Sequence, residues 1–536
     1  MRNSFVQRLV LSSSLLLLLT AGAQPAVAQE ATISDLGSAY YRGFRTVEGQ
    51  LYFMLRQERN VYDLFHLEIY GRDLQKKGTT DLRLGRGWFQ GDARMVGDQA
   101  VFYFFTGKEG LLLTVDASGQ KFKEIRFPAN DVLVSQAVIA PAGGGDFYLA
   151  YPFDPGKTGY VVARYGPDLS VKWKKDYAPE KGKYRVRFVQ ADAATVYVVA
   201  DHTKGTYEVV TLDGATGAEK FHQDLPAEAT PLTPTFAGLS SAGHLLLTGS
   251  YAEPAQKTPV VSVASASAPR PGGLFVLAMG PDGKPDFLTR MSYAKDLAGK
   301  LNTHSTLQQF TVGETPGVKV HALLPRPGGG YALMGETFKN FSFTDTQYEA
   351  AGGVRAPGLN GVAGGPGPLR RDILDLVVFQ FTPQGQLESV RRIPKPYKIY
   401  NDQAMGGGNT EFNNTAVYAY RFLYQRDPAQ LPELVLFNWH QNLLYVNSVK
   451  PATDARDNLF TRRYLDQPAL PAGPDRGELT ARTYSNEMAG SIDYAPAALF
   501  FDEVLPHAPG KFLYTHFDPA TSRLHLQVMD VPGGSN

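Results

Sequence analysis

One unit of strand grammar recurs along the chain, and it limits what the chain can fold into. An apolar strand is followed by a second apolar strand, a turn containing Gly or Asp, and then a strand rich in charge. The clearest copy runs from Gly145 to Tyr177. It reads "DFYLAY" from Asp146, "GYVVARY" from Gly159, the turn Gly166-Pro167-Asp168, and "VKWKKDY" from Val171. The same order returns at "AVFYFF" (Ala100), "GLLLTVDASG" (Gly110) and "KFKEIRF" (Lys121), and again at "TVYVVA" (Thr195), "YEVVTLDGATG" (Tyr207) and "EKFHQDL" (Glu219). The leading apolar strands begin near residues 51, 101, 147, 196, 245, 331, 434 and 512, and the first four steps are 50, 46, 49 and 49 residues. A short strand precedes each copy, as in "YRVRFVQAD" from Tyr184, which makes four strands per unit.

A lone four-stranded meander cannot bury both of its faces, whereas units stacked face to face around an axis can. Repeats of this length and strand number are the signature of propeller blades. The expected fold is therefore all-β: a single β-propeller of eight four-stranded blades, or seven if two irregular units merge. The eighth copy ends after its third strand at Val531, and Ala31 to Leu36 belong to no complete unit. The N-terminal strand is thus expected to complete the last blade and close the ring. This grammar resembles that of uncharacterised secreted β-propeller-like proteins of bacteria, a resemblance that implies a fold and not an activity.

The first residues carry an address. Arg2 and Arg8 precede an apolar run from Leu9 to Thr20, and Pro25 and the small-residue site Ala26-Val27-Ala28 follow it. Charged, then apolar, then small is the order of a cleavable secretory signal, and the run is too short for the ~20 apolar residues of a membrane span. The expected organisation is a signal peptide over residues 1–28 and a propeller domain over 29–536, located in the periplasm or secreted. No cysteine is present, so disulfides, thiolate metal sites and a lipid-anchoring cysteine are excluded.

Charge names no partner. Lys and Arg number 53 against 52 Asp and Glu, without the concentrated basic face that nucleic acid demands. No HExxH, GxSxG or P-loop occurs, and Gly361 to Gly367 form a Gly-rich stretch without strand-to-helix context. His66, His202, His244 and His525 have no metal-ligand spacing, so neither metal nor cofactor is expected. Thr211 to Phe221 ("TLDGATGAEKF") resembles the blade motif of quinone-dependent dehydrogenases. Phe221 stands where that motif has Trp, and the other copies lack it.

Antiparallel strands alternate direction, so loops between second and third strands open on the same face as the connections between units. The long insertions near 251–272, 294–317, 338–372, 394–415 and 466–491 are all of these two kinds and should crowd one rim. Trp88, in "GRGWFQGD", and Trp439 with His440 and Gln441 are expected on that rim as exposed ligand-binding residues. The function read from this pattern is an exported binding or scaffold protein that recognises a glycan, peptide or protein partner. The alternative is a secreted polysaccharide hydrolase or lyase using loop carboxylates, with Asp402 and Glu411 as nominal candidates. Cleavage after Ala28 predicts a mature protein beginning at Gln29. Mass spectrometry of protein recovered from the producing cell reads that terminus directly, and an intact Met1 in the membrane fraction would refute export.

Overall fold

The computed structural model describes residues 30–34, 36, 40–57, 64–84, 88–129, 137–152, 159–178, 184–192, 194–202, 206–225, 231–252, 271–301, 315–326, 329–342, 369–393, 399–403, 420–424, 433–440, 443–449, 458–463, 502–508, 510–518, 521 and 523–530. Among them every regular element is a strand. The strands form seven four-stranded antiparallel sheets and one five-stranded sheet. We number the sheets in chain order: sheet 1 spans 40–83, sheet 2 89–128, sheet 3 138–177, sheet 4 184–224, sheet 5 232–292, sheet 6 315–403, sheet 7 420–463 and sheet 8 502–530. Sheet 8 takes its fourth strand from the other end of the chain. Glu30–Ile33 pairs antiparallel with Arg523–Asp530, with Ala31 opposite Leu526.

In the other sheets, apart from the fifth strand of sheet 6, the strands lie side by side in sequence order, and the burial pattern explains their composition. Asp146–Pro152, the second strand of sheet 3, is buried throughout. In the fourth strand, Val171–Tyr177, no residue is fully buried, and Lys172, Lys174 and Lys175 are exposed. Central strands covered on both faces read as continuous apolar runs, while a charged outer strand protects the sheet edge from pairing with another chain.

The apolar cores lie between sheets. Phe53, Phe65 and Leu67 of sheet 1 meet Phe102, Phe104 and Leu113 of sheet 2, and equivalent cores join sheets 2 and 3, 3 and 4, 4 and 5, and 5 and 6. Sheets 1 and 8 share another, built from Phe44, Tyr52, Met54, Leu513, Leu524 and Leu526. There the Tyr52 hydroxyl donates to the Pro506 carbonyl at 3.0 Å and pairs with the His507 imidazole, whose ring stacks on Tyr52. First strands of successive sheets also touch, including that of sheet 8 against that of sheet 1.

A second contact repeats on the turns between third and fourth strands. In six sheets one turn residue has positive φ: Leu74, Gly119, Leu169, Gly217, Gly283 and Gly385. The third residue of the fourth strand packs onto that position in the next sheet. Trp173 covers Gly217, Phe221 covers Gly283 and Phe287 covers Gly385. Phe221, which ends the motif that the sequence exhibits once, thus makes a docking contact that Trp173 and Phe287 make from the neighbouring sheets.

Two tests follow from this packing. A Cβ at Gly283 would lie 2.1 Å from the Phe221 ring and one at Gly217 2.6 Å from Trp173, whereas Gly144, also at positive φ, has nothing within 4 Å. Gly283→Ala or Gly217→Ala is expected to cost about 2–4 kcal/mol and Gly144→Ala about 1, from conformational strain with and without overpacking. Equal shifts in the denaturation midpoints of the three variants would refute the docking contact. The second test concerns His507. Burial, then the nearby Arg72 and Lys511, depress its pKa to about 4. The folded protein binds that proton less readily than the unfolded chain, so stability should fall as pH drops from about 6.5 toward 4. With the ring half-buried, about 1–2 kcal/mol is expected. Thermal melts of wild type and His507→Gln at pH 7 and 4.5 check it; an identical pH response of the two would refute it.

Candidate functional site

The first strands of sheets 2, 3 and 4, with the turn residue Glu48 of sheet 1, line an open cavity of about 630 Å³. Its polar lining comes from Glu48, Gln90, Asp92, Arg94, Arg187 and Gln190. These charges are mutually held. Asp92 Oδ2 accepts from the Ile139 amide at 3.1 Å and from Arg94 Nε at 3.2 Å, and Arg94 Nη1 lies 3.6 Å from Glu48. One aspartate therefore ties sheet 2 to sheet 3 and orients a guanidinium toward sheet 1.

A recurring irregularity helps to place these groups. The register of the first strand slips between Tyr41 and Phe44, Gln90 and Ala93, Val186 and Phe188, Pro234 and Phe236, and Val320 and Ala322. A bulge inserts extra residues into a ladder and re-aims side chains. In sheets 2 and 4 the inserted residues include Asp92 and Arg187, both in the cavity wall. In sheet 6 the inserted residue is His321, buried, with Nε2 2.7 Å from Glu336 Oε2. Arg187 is held from behind: Arg187 and Arg185 both donate to Asp201, with Nη2–Oδ2 distances of 2.7 Å.

Where sheets 3 and 4 meet, five aromatic rings stand in line. His202 lies 5.1 Å from Tyr184, Tyr184 6.1 Å from Tyr160, Tyr160 5.0 Å from Tyr177, and Tyr177 5.9 Å from His222, between ring centroids. Tyr184 opens the first strand of sheet 4 and His222 sits in its fourth, so the line spans the sheet from its first strand to its outer one. Beneath it Glu208, 2% exposed, accepts from the Tyr160 hydroxyl at 2.8 Å and pairs with His222 Nε2 at 3.1 Å. The Tyr184 hydroxyl reaches the same carboxylate. Tyr177 donates to Glu219 at 3.2 Å. Burial, reinforced by Glu208, pushes Tyr184 up to about 12 and Tyr160 well above the usual tyrosine value. Burial and Glu219 raise Tyr177 as well. All three are hydrogen-bond donors at neutral pH.

The expected site residues fall elsewhere. Trp88 is 4% exposed and packs in the core between sheets 1 and 2, with Arg126 stacked 5.1 Å from its ring. Its expected exposure is thereby corrected: the indole is buried in the same apolar core as Leu82 and Leu84. Trp439 and His440 end the second strand of sheet 7, opposite Leu444 and Leu443, and Gln441 lies outside the described residues. Asp402 is opposite Arg370 in a fifth strand, Ile399–Gln403, added to sheet 6; Glu411 lies outside the described residues. That strand, and the extension of Tyr331–Ser342 and Leu369–Phe381 into residues 338–372, replace loop with ladder at the margins of two expected insertions. His66 and His244 each face an aspartate, Asp81 and Asp286.

No family model and no curated protein matches the sequence. Among solved structures, the chain is similar to the polysaccharide lyase Uly1, at 10% identity and a TM-score of 0.39, covering 82% of this chain and 90% of that one. It is similar also to the dihydro-heme d1 dehydrogenase NirN in complex with DHE, at 12% identity and 0.35, covering 86% and 79%, and to the Dos1 propeller, at 11% and 0.33, covering 56% and 66%. The chain's own geometry defines its class: antiparallel four-stranded sheets packed face against face in chain order make a β-propeller.

Proposed function

We propose that this protein is an exported binding or scaffold protein. In this reading it is a single ring of eight blades, closed where Glu30–Ile33 completes sheet 8, and it takes a glycan, peptide or protein ligand at its loop-bearing face and central opening. Pairing of the N-terminal strand with Arg523–Asp530 and the core shared by sheets 1 and 8 support closure. The observation that carries the function is the cavity of about 630 Å³, within the size range of small-ligand sites. Its walls are strands, and its Asp92 carboxylate and Arg94 and Arg187 guanidinium groups are held in place before any ligand arrives. Such preorganisation lowers the ordering cost of binding.

Arg187→Gln tests the reading. Arg185 still neutralises Asp201 in that variant, so folding should be preserved. Mature protein, residues 29–536, is to be screened on a glycan array and a peptide library, and each ligand found is then titrated against both proteins. Binding about ten-fold weaker in the variant, with an unchanged melting midpoint, is expected. Absence of any ligand from both screens, or equal affinity of the two proteins, would sink the proposal.

A further inference from the structure

We infer that the seam between sheets 3 and 4 is a saccharide subsite that selects uncharged sugars over acidic ones. The inference rests on the binding reading above and deepens it. In the line of rings His202, Tyr184, Tyr160, Tyr177 and His222, Tyr184 opens the strand that supplies Arg187 to the cavity and His202 lies opposite it on the next strand. Tyr160 is buried between Tyr184 and Tyr177, whereas His202, Tyr184, Tyr177 and His222 keep exposed surface, so the seam offers two tyrosine rings flanked by histidines.

The chemistry of the seam suits a pyranose. One face of such a ring is a patch of C–H bonds, which docks on the electron-rich face of an aromatic ring. Its edges carry hydroxyls that need both donors and acceptors. Tyr177 and Tyr184 are half-buried and offer ring surface. Their hydroxyls are tied to Glu219 and Glu208, which fixes the ring planes. Tyrosine contributes large, stiff contact area at little entropic cost. Around the rings, His222 and Glu219 keep 35% and 43% of their side chains exposed, and Asp224 is exposed at the end of the same strand. These groups can accept or donate to hydroxyls.

Charge sets the selectivity. Glu208, Glu219 and Asp224 are acidic, whereas Arg185 and Arg187 of the same sheet turn to Asp201. A uronate or sulfate brought to the rings would face carboxylates, and like charges at close range raise the cost of binding. A cationic side chain over the tyrosines is the competing occupant. The hydrogen bonds of Glu208 and Glu219 to tyrosine and histidine donors argue against it, because these carboxylates are already partnered.

Calorimetric titration of mature protein with neutral β-1,4-linked hexasaccharides, a hexagalacturonate and an oligolysine peptide provides the test. The neutral sugars should bind and the hexagalacturonate should not. Tyr184→Ala and Tyr177→Ala should each weaken sugar binding about ten-fold. Tyr184→Phe should stay within about two-fold of wild type, since the ring and not the hydroxyl makes the contact. Thermal melts verify folding, and Tyr184→Phe keeps the test valid if an alanine variant unfolds. Preferential binding of hexagalacturonate, or sugar binding indifferent to both alanine changes, overturns the assignment. Oligolysine binding lost in Tyr184→Ala without any sugar binding overturns the saccharide class and leaves the binding reading standing. Absence of binding here together with empty screens for the cavity overturns both.

Discussion

Double-sided burial of the central strands is the constraint on which the rest of the molecule depends. In Gln99–Phe105, Phe102 and Phe104 enter the core shared with sheet 1, while Tyr103 and Phe105 enter the core shared with sheet 3. In Thr195–His202, Val196, Val198 and Ala200 face sheet 3, and Tyr197 and Val199 face sheet 5. Each large side chain buried this way contributes roughly 1.5–3 kcal/mol, and half of that stabilisation in each sheet is owed to each neighbour. A sheet taken alone would expose a full apolar face. The strand edges and turns, relieved of this role, carry the polar chemistry.

That division explains what could be read from the residues. Continuous apolar runs bounded by Gly and Asp turns mark the second and third strands, because nothing but burial on both faces demands such runs. All eight leading strands, from Leu51–Gln57 to Lys511–Asp518, lie where those runs predict. The aromatic residues of the seam between sheets 3 and 4 carry no comparable mark. Tyr160, Tyr177, Tyr184, His202 and His222 begin, end or punctuate strands of two sheets, and they converge only when the sheets pack. Trp88 misled because a tryptophan in a Gly-rich connection reads as exposed, although its indole in fact fills a gap at the sheet 1–2 core.

The first-strand bulges are equally silent in the sequence. An inserted residue does not change composition, and Arg187 sits in "YRVRFVQA" among alternating residues that read as an ordinary strand. Yet the insertion turns consecutive side chains out of simple alternation. It places Arg187 in the cavity wall while Arg185 and Arg187 still converge on Asp201. Polar groups in the wall of a close-packed scaffold are tolerable only when hydrogen-bonded, and here the same bonds that satisfy them also aim them.

The pairing of Ala31 with Leu526 has a bearing on how the molecule comes into being. The strand synthesised among the first is the last to find its partner, since nearly the whole chain must be made before Arg523–Asp530 exists to receive it. Until then sheet 8 has no outer strand and the core between sheets 1 and 8 stands open. Completion of the fold is thus a late, long-range event with a high entropic cost of loop closure. A chain interrupted before residue 523 would keep seven sheets' worth of local structure while leaving Glu30–Ile33 an unpaired edge. Pairing of Glu30–Ile33 with Arg523–Asp530 thus reports whether synthesis has passed sheet 8.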